Sequence, residues 1–487
     1  MPSKGLSVYS YISPRFPPAE YTVEFSVPGP DGIINNTAAD NFTVKSLEIE
    51  SKHLPGLTNF VGEFRWRVLQ NGNEVAGAWN KINVLTGNLA GGGMIATQHF
   101  APFVLDDALI TYGFYDAGSG KNTGLTNRHQ CYVTLVPRHI QSWMGQLAPP
   151  NSPQAQLPFS RFVLPAPHDN GMNSMQNADA VLGGVSASEV PYLKDLMPYV
   201  DFFDDLPDTA VAHMLPNIVY GISVTQKKSI TTMLELGARY FEFRPAKLLP
   251  LFQAVSDLDQ DKHYFHHACI PGIAFDNFLD EQVRFLSSHP EEIVVIHIRY
   301  DNIPDGCVKP LEQELWSILT AACSKATCAI PLGFGGRECF SQPIDALRAS
   351  GRRIILVHMV EKYDSWTAEA YATLHSEPIL ARFEGMHTEG QLSTDLTILQ
   401  CQATSQSIKE VLVYSVLASN AATSCLMSTK AMGDMRTLPW IRANALHKFK
   451  AERNIVVMND FIDGATCELC VELSLERLKV SPGEYIA

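Results

Sequence analysis

Histidine, arginine and carboxylate side chains follow short apolar runs in the C-terminal two thirds of this sequence. They are His168, Asp169, Glu242, Arg244, His266, His267 and Asp460. A histidine accepts or donates a proton near neutral pH, and a guanidinium contacts two phosphoryl oxygens at once. Cleavage of a phosphodiester by an internal hydroxyl needs a base, an acid and such a cation. The residue types therefore suit that reaction, provided that the fold brings them together.

Two of these residues have roles that follow from their chemistry. Arg244 carries a permanent charge, which makes it the natural electrostatic stabiliser of a phosphoryl group. Asp460 can hold His168 in the required tautomer, as carboxylates do beside other oriented histidines. Taken singly, His168 and Asp169 also suit a turn, and a lone arginine is more often a structural ion-pair residue. Their shared position after apolar runs favours the functional interpretation.

The apolar runs before these residues predict buried strands. They cover residues 162–164, 239–243, 293–298, 354–359, 411–417 and 455–458. Strands that are apolar on both faces and alternate with helices indicate a parallel sheet, and helices are predicted at 276–288 and 438–453. Repetition of this kind predicts an α/β fold with a distorted (β/α)8 TIM-type barrel over residues 159–487. In such barrels the active groups lie at the C-terminal ends of the strands.

Residues 1–145 have a different pattern, with short extended runs between turn residues. The runs cover 21–27, 44–50, 62–70, 108–115 and 131–137. Their alternation of apolar and polar residues has the period of a half-buried strand, so we predict an all-β sandwich before the barrel. Within it, Trp66 and Trp79 are expected in the core rather than at a membrane interface. Residues 146–158 contain four prolines and predict a linker between the two domains.

Composition excludes several classes of protein. The formal net charge of −14, without a Lys/Arg-rich run, argues against nucleic-acid binding. No secretory signal and no transmembrane segment are recognisable, so a cytoplasmic location is expected, with membrane contact at most peripheral and transient. The ten cysteines are expected to be reduced and buried.

Five segments also resemble one enzyme family, in a consistent order from about residue 155 to 475. Segment 164–171 (LPAPHDNG) resembles the P-G-T-H-D-S-G motif of bacterial-type phosphatidylinositol-specific phospholipase C. Segment 236–244 (LGARYFEFR) is similar to the family's L-x-x-G-x-R-x-x-D-x-R. His267-Ala268 stands where the family has His-Gly, and segments 285–295 and 454–461 resemble the family's fourth and last strands.

The resemblance implies a mechanism and a substrate class. By it, His168 deprotonates the inositol 2-hydroxyl, and the alkoxide attacks phosphorus to form a cyclic phosphodiester. His267 protonates the departing diacylglycerol oxygen, while Arg244, partnered by Asp169, stabilises the pentavalent phosphorus. Glu242 stands where the family has an aspartate, and Glu242, Arg299 and His266 are the candidate substrate-binding residues. The implied substrate is a phospholipid or another phosphodiester, cleaved without a metal ion.

The sequence leaves three questions open. The family binds inositol with an arginine at the end of one strand and an aspartate in the next. No arginine ends the corresponding run 353–359 and no aspartate follows 411–415, so the sequence does not identify the substrate. Either of His266 and His267 can be the acid, with His267 favoured. A metal-dependent enzyme resembling glycerophosphodiesterases or sphingomyelinase D, with Ca²⁺ or Mg²⁺ at Glu242, is a less favoured alternative because Arg244 replaces their second carboxylate. A non-catalytic protein that binds phosphate headgroups is the other alternative.

Overall fold

The fold of the chain is taken from a computed structural model, which describes residues 3–37, 45–56, 58–94, 102–116, 127–196, 206–373, 375–403 and 426–479. It is a mixed α/β fold with several sheets. The N-terminal third consists of strands, and the remainder alternates strands with helices. None of the helices within these ranges is long and apolar enough to cross a membrane.

Two five-stranded sheets form the N-terminal part. Their strands are β1 (Ser3–Ile12), β2 (Tyr21–Ser26), β3 (Ile33–Asn36), β4 (Lys45–Leu47), β5 (Val61–Gln70), β6 (Asn73–Asn83), β7 (Leu89–Gly92), β8 (Phe103–Val104), β9 (Ala108–Asp116) and β10 (Asn127–Pro137). One sheet has the order β4-β1-β10-β9-β8 and the other β3-β2-β5-β6-β7. All pairs are antiparallel except β1 with β10.

Both sheets contribute to one apolar core. On β5 every second residue is buried, so Phe64, Trp66 and Val68 face the other sheet, which provides residues such as Ile110 and Phe114. This period of two is the pattern that the sequence shows, and four of the predicted runs fall within β2, β5, β9 and β10. Trp66 is fully buried, as expected, but the same expectation is wrong for Trp79, which is 39% exposed because it pairs with Arg65 on the outward face of the sheet.

The C-terminal part contains eleven further strands among the described residues. They are β11 (Val163–Pro167), β12 (Tyr240–Phe243), β13 (Pro245–Ala246), β14 (Tyr264–His267), β15 (Ile270–Ala274), β16 (Val294–Ile298), β17 (Gly333–Gly335), β18 (Arg352–His358), β19 (Lys362–Asp364), β20 (Leu396–Gln400) and β21 (Asn454–Asn459). Two four-stranded sheets have the orders β11-β21-β20-β19 and β12-β16-β18-β17, and all their pairs are parallel. The Arg239 amide donates to the Pro165 carbonyl over 3.0 Å, which ties β11 to the start of β12.

Helices connect these strands. They are α1 (Trp143–Leu147), α2 (Gln176–Leu182), α3 (Val190–Leu196), α4 (Asp208–Ser223), α5 (Ile230–Glu235), α6 (Pro250–Val255), α7 (Phe275–Ser288), α8 (Glu312–Cys323), α9 (Ile344–Ala349), α10 (Ala368–Tyr371), α11 (Glu377–Gly385), α12 (Thr388–Leu392), α13 (Met427–Lys448) and α14 (Gly464–Arg477). Helix α7 buries Leu279, Val283 and Leu286, which are spaced to share one face.

One predicted helix differs from this structure in its bounds. The helix predicted at 438–453 begins eleven residues earlier, at Met427, and ends at Lys448. It ends there because Phe449 takes an extended conformation and buries its ring, so that the chain can turn into β21. The strand predicted at 411–417 lies outside the described residues. Strand β20, which pairs with β21, has no counterpart among the predicted strands.

Segment 146–158 packs against the C-terminal part. Ala148 and Ala155 are fully buried, and Arg348 Nη1 donates to the Ala148 carbonyl over 2.5 Å. The Asn151 amide donates to Asp345 over 2.7 Å. Proline excludes a regular helix here, but these contacts fix the path of the segment.

Candidate active site

The strand ends bring most of the candidate residues together. His168 follows β11, Arg244 follows β12, His267 ends β14 and Asp460 follows β21. Pro167 is in register with Asn459 in the parallel pair of β11 and β21, so the next residues, His168 and Asp460, are neighbours. Residues far apart in the chain therefore meet at one edge of the parallel sheets.

His168 lies between two carboxylates. Its Nδ1 is 2.7 Å from Asp460 Oδ1, and its Nε2 is 3.7 Å from Asp169 Oδ2. Burial alone would lower the pKa of His168, but Asp169 and Asp460 outweigh it and raise this pKa to about 9. Because 14% of the side chain stays exposed, Nε2 remains within reach of a ligand.

Arg244 forms the centre of a charged network. Its Nη2 lies 2.5 Å from Asp169 Oδ1 and 3.3 Å from Glu242 Oε1. The same Glu242 oxygen accepts the Asp169 amide over 3.1 Å, and its other oxygen pairs with Arg299. Burial raises the pKa of Glu242, but Arg299 and Arg244 outweigh it and hold this pKa well below its usual range. Arg244 Nε has no acceptor among the described residues, which leaves one buried donor unsatisfied.

His267 faces the same carboxylate as His168. Its Nε2 lies 3.5 Å from Asp169 Oδ2, and 28% of its side chain is exposed. Burial lowers the pKa of His267; Asp169 opposes this shift, while Arg244 and His168 add to it. The two imidazoles thus differ in proton affinity, and one carboxylate oxygen lies between them.

The other two candidate residues are placed differently. His266 points away from His267, as successive residues of a strand do, and it is fully buried; burial lowers its pKa to about 4. The structure does not bring the His266 ring into the cluster. Arg299 is in the cluster, but it donates its hydrogen bonds to Glu242 and to Asp301. The two Asp301 oxygens lie 2.9 and 2.6 Å from the guanidinium.

The backbone after each of three cluster residues is left-handed. Asp169, Ala268 and Phe461 have φ angles of +41°, +51° and +45°, and they follow His168, His267 and Asp460. Such angles are uncommon for residues other than glycine, and strain of this kind gathers at functional sites. The geometry gives a reason for glycine at the position of Ala268 in the motif that the sequence resembles.

Two residues that hold the loops of the cluster were not predicted from the sequence. Gln226 Nε2 donates to the carbonyls of His168 and Asn459 over 2.9 and 3.0 Å, and its Oε1 accepts the Ile462 amide. Thr225 donates to the Asp169 carbonyl over 3.0 Å. Neither residue follows a predicted strand, so the sequence carried no signal for them. The tertiary fold alone brings them to the loops that follow β11 and β21.

Comparisons with known proteins give a similarity of shape. No family model and no curated protein matches the chain. Among solved structures, a phosphatidylinositol-specific phospholipase C from Listeria monocytogenes matches at 12% identity and a TM-score of 0.38, over 69% of this chain and 98% of that chain. One from Staphylococcus aureus matches at 12% identity and a TM-score of 0.37, over 68% and 97%. At these values the likeness says nothing about the chemistry of the site.

A divalent cation fits the cluster poorly. His168, Asp169 and Glu242 each offer a donor atom, and these atoms lie within 4.8 Å of one another. Yet Arg244 and Arg299 already pair with the two carboxylates, so a cation bound there would lie against two guanidinium groups. Metal independence stays a prediction, to be tested by chelation.

Proposed function

We propose that the chain cleaves a phosphodiester through an internal hydroxyl, with His168 as base, His267 as acid and Arg244 as phosphate ligand. One observation carries the proposal. The Nε2 atoms of His168 and His267 lie 3.7 and 3.5 Å from the same Asp169 oxygen, while Arg244 holds the other oxygen. Two proton carriers and a cation thus surround one small volume, as in-line displacement at phosphorus requires.

The reaction balances with these groups. His168 Nε2 takes the proton of the attacking hydroxyl, and the alkoxide forms a new bond to phosphorus. The bond from phosphorus to the leaving oxygen breaks, and His267 donates its proton to that oxygen. The products are a cyclic phosphodiester and a free alcohol. Arg244 stabilises the charge on the phosphoryl oxygens, and Asp460 stabilises the imidazolium that forms at His168.

The pKa shifts agree with this division of roles. A raised pKa makes His168 the stronger base, and a lowered pKa makes His267 the stronger acid. At neutral pH the proton then resides mainly on His168, so only a minority of molecules has the neutral His168 and the protonated His267 that the reaction needs. Because the base has the higher pKa, the fraction of molecules with neutral His168 and protonated His267 should vary little between the two pKa values, so turnover should be nearly flat there and fall above about pH 9.

For the fold, the proposal is a distorted (β/α)8 barrel. The parallel order β19-β20-β21-β11, joined through the bond from Arg239 to Pro165, continues into β12-β16-β18-β17, which suits a barrel wall. In this proposal, residues 1–145 are a β-sandwich accessory domain, 146–158 a linker and 159–487 the catalytic domain.

A phospholipid is the proposed class of substrate. Apolar side chains are exposed after the ends of three parallel strands: Val308 and Leu311 follow β16, Met359 follows β18 and Trp366 follows β19. Met359 is 82% exposed and Leu311 75%, which suits brief contact with lipid near the catalytic edge. Sedimentation with phosphatidylinositol vesicles should show weak binding that falls in a Met359→Ser, Trp366→Ser variant. Equal binding by both proteins would remove these residues from lipid contact.

Phosphorus NMR tests the reaction directly. The protein would be incubated with phosphatidylinositol, lysophospholipids, sphingomyelin and glycerophosphodiesters, with and without EDTA. A cyclic phosphodiester formed in EDTA is the expected result, and the substrate that yields it names the specificity. Turnover that EDTA abolishes would instead favour a cation at His168, Asp169 and Glu242. No turnover on any substrate would favour a headgroup-binding protein.

A reactive leaving group distinguishes the acid from the base. The nitrophenolate group of a nitrophenyl phosphodiester leaves without being protonated. Such a substrate, with an internal hydroxyl, should therefore restore turnover to His267→Ala but not to His168→Ala. Restoration in His168→Ala alone would reverse the two roles. The variant His266→Ala should behave as His267→Ala only if His266 is the acid.

A further inference from the structure

A cavity of about 670 Å³ lies beside the catalytic loops and shares no lining residue with the cluster. Its walls come from the loop after His168, from the start of α5 and from one side of α7. Three cationic side chains, Lys227, Lys228 and Arg284, line it together with amides, hydroxyls and two carboxylates. This composition differs from that of an apolar groove and suits a hydrophilic ligand.

Lys228 is the most informative residue of this cavity. The residue is 6% exposed, and its ammonium makes no hydrogen bond or ion pair within the part of the chain that the structure describes, although Asp463 and Lys430 act on it electrostatically. A buried charge without a partner is costly. Burial lowers the pKa of Lys228 to about 8; Asp463 opposes the shift and Lys430 adds to it. The neighbouring Lys227 differs, because it donates to the Tyr112 carbonyl.

Asn173 is a second unsatisfied group. It is 9% exposed, and its Nδ2 donates to the Lys228 carbonyl over 2.9 Å, which fixes the amide. Its Oδ1 has no donor among the described residues. A largely buried lysine and a buried amide oxygen, neither with a hydrogen-bond partner among the described residues, therefore line the same cavity.

The other charged side chains of the cavity differ in whether they already have a partner within the protein. Asp280 accepts from Lys325 over 2.7 Å, and Glu281 accepts the Thr231 amide over 2.7 Å. Each carboxylate keeps further lone pairs that can accept from hydroxyls. No ion pair within the described ranges involves Arg284, which is exposed at the cavity wall. The cationic side chains can bind a phosphoryl group, and the carboxylates can accept hydrogen bonds from hydroxyl groups. A phosphorylated polyol carries both kinds of group.

We propose that this cavity binds a phosphorylated polyol, with its phosphoryl group on Lys228 and Arg284 and its hydroxyls on the amide and carboxylate side chains. Binding gives the ammonium of Lys228 the hydrogen-bond acceptor that the described residues do not provide. The ligand is either a free phosphate ester or the headgroup of a lipid, since both present the same chemistry. The site also adjoins segment 225–228, whose first two residues hold the catalytic loops.

Thermal unfolding of the full chain tests the stability side of the proposal. Without ligand, Lys228→Met should keep or raise the unfolding temperature, because it removes a buried charge that has no partner. Glycerol phosphate should raise this temperature for the native protein and not for Lys228→Met. Glycerol alone should have no such effect on either protein.

Calorimetric titration with glycerol phosphate and with inorganic phosphate then measures affinity. Lys228→Met should weaken binding about tenfold or more, and the exposed Arg284→Ala less, because a charge-assisted contact to a buried cation is the stronger one. A Lys479→Met control, at an exposed pair with Glu476, should bind as the native protein does. His267→Ala should also bind normally, because the site is separate from the catalytic cluster.

Vesicles that carry phosphatidylinositol phosphate distinguish the two sources of the ligand. Lys228-dependent binding to vesicles, with none to soluble glycerol phosphate, assigns the site to a lipid headgroup; the reverse assigns it to a free ester. Binding that survives in Lys228→Met, that is lost in His267→Ala, or that occurs with neither probe would overturn the proposal. Each outcome is independent of turnover, so failure of the proposed reaction would not be mistaken for failure of this site.

Discussion

Two buried charge clusters in this chain have similar residues and different environments. The first, which we call the catalytic cluster after its proposed role, holds His168, Asp169, Arg244, His267 and Asp460 at the strand ends. The second, which we call the interface cluster, holds Lys430, Asp434 and Asp463 where α13 and α14 pack against the N-terminal sheets. Lys430 Nζ lies 2.7 Å from Asp434 Oδ2 and 3.4 Å from Asp463 Oδ2, and all three side chains are at most 2% exposed.

The difference between the clusters lies in access and in backbone conformation. In the interface cluster the cation is enclosed by its partners, with Tyr132 of β10 nearby. In the catalytic cluster two imidazoles keep 14% and 28% of their surface exposed, and the backbone after them is left-handed. Buried charge alone thus does not mark a catalytic site. Exposure and backbone strain at the strand ends distinguish the proposed catalytic cluster from the cluster that joins two parts of the fold.

Replacing His168 should give the largest effect and confine it to turnover. We expect His168→Ala to reduce turnover about 10²–10⁴-fold, the usual contribution of a general base. The exposed His387, paired with Glu389, provides the control, and His387→Ala should leave turnover unchanged. Turnover that survives in His168→Ala would remove this residue from the mechanism and end the contrast between the clusters.

Replacing Lys430 should instead act on stability. Lys430→Met leaves Asp434 and Asp463 buried without their cation, which should lower the free energy of unfolding by about 3–5 kcal/mol. Urea unfolding measures this loss, and Lys479→Met at the exposed pair with Glu476 should change it by less than about 0.5 kcal/mol. A native-like unfolding curve for Lys430→Met would mean that the interface cluster does not stabilise the fold.

The raised pKa of His168 predicts a pH-dependent contribution to stability. The pKa rises from about 6.5 in the unfolded chain to about 9 in the fold, so the folded state binds the proton more tightly. This contribution, about 1–3 kcal/mol, is complete below about pH 6.5 and is lost as the pH rises through about 9. The difference in unfolding free energy between the native protein and His168→Gln should shrink over that range. A difference independent of pH would contradict the assignment.

A smaller effect is expected at the strained position after His267. Ala268→Gly should stabilise the fold by about 0.5–1 kcal/mol, since a left-handed alanine costs more than the added backbone freedom of glycine. The control Ala321→Gly, at an exposed position within helix α8, should destabilise it by a similar amount. If both substitutions destabilise equally, the backbone at Ala268 is not strained.

The sequence alone could indicate which residue types carry the chemistry and where most of the strands lie. Apolar runs predicted β11, β12, β16, β18 and β21 because strands buried on both faces need continuous apolar residues. The polar residues just after those runs, among them His168, Arg244 and Asp460, are the ones that the fold brings together. Period-two alternation likewise marked β5, whose outward face is polar.

Only the tertiary structure decided which of these polar groups share one volume. It separated His267 from His266, because neighbouring residues of β14 face opposite ways. It also paired Arg299 with Asp301 and Glu242, which occupy its hydrogen-bond donors. It also brought Gln226 to the carbonyls of His168 and Asn459, and it placed Lys228 in a polar cavity without a hydrogen-bond partner among the described residues. Contacts of this kind join residues tens to hundreds of positions apart, so no local pattern in the chain encodes them.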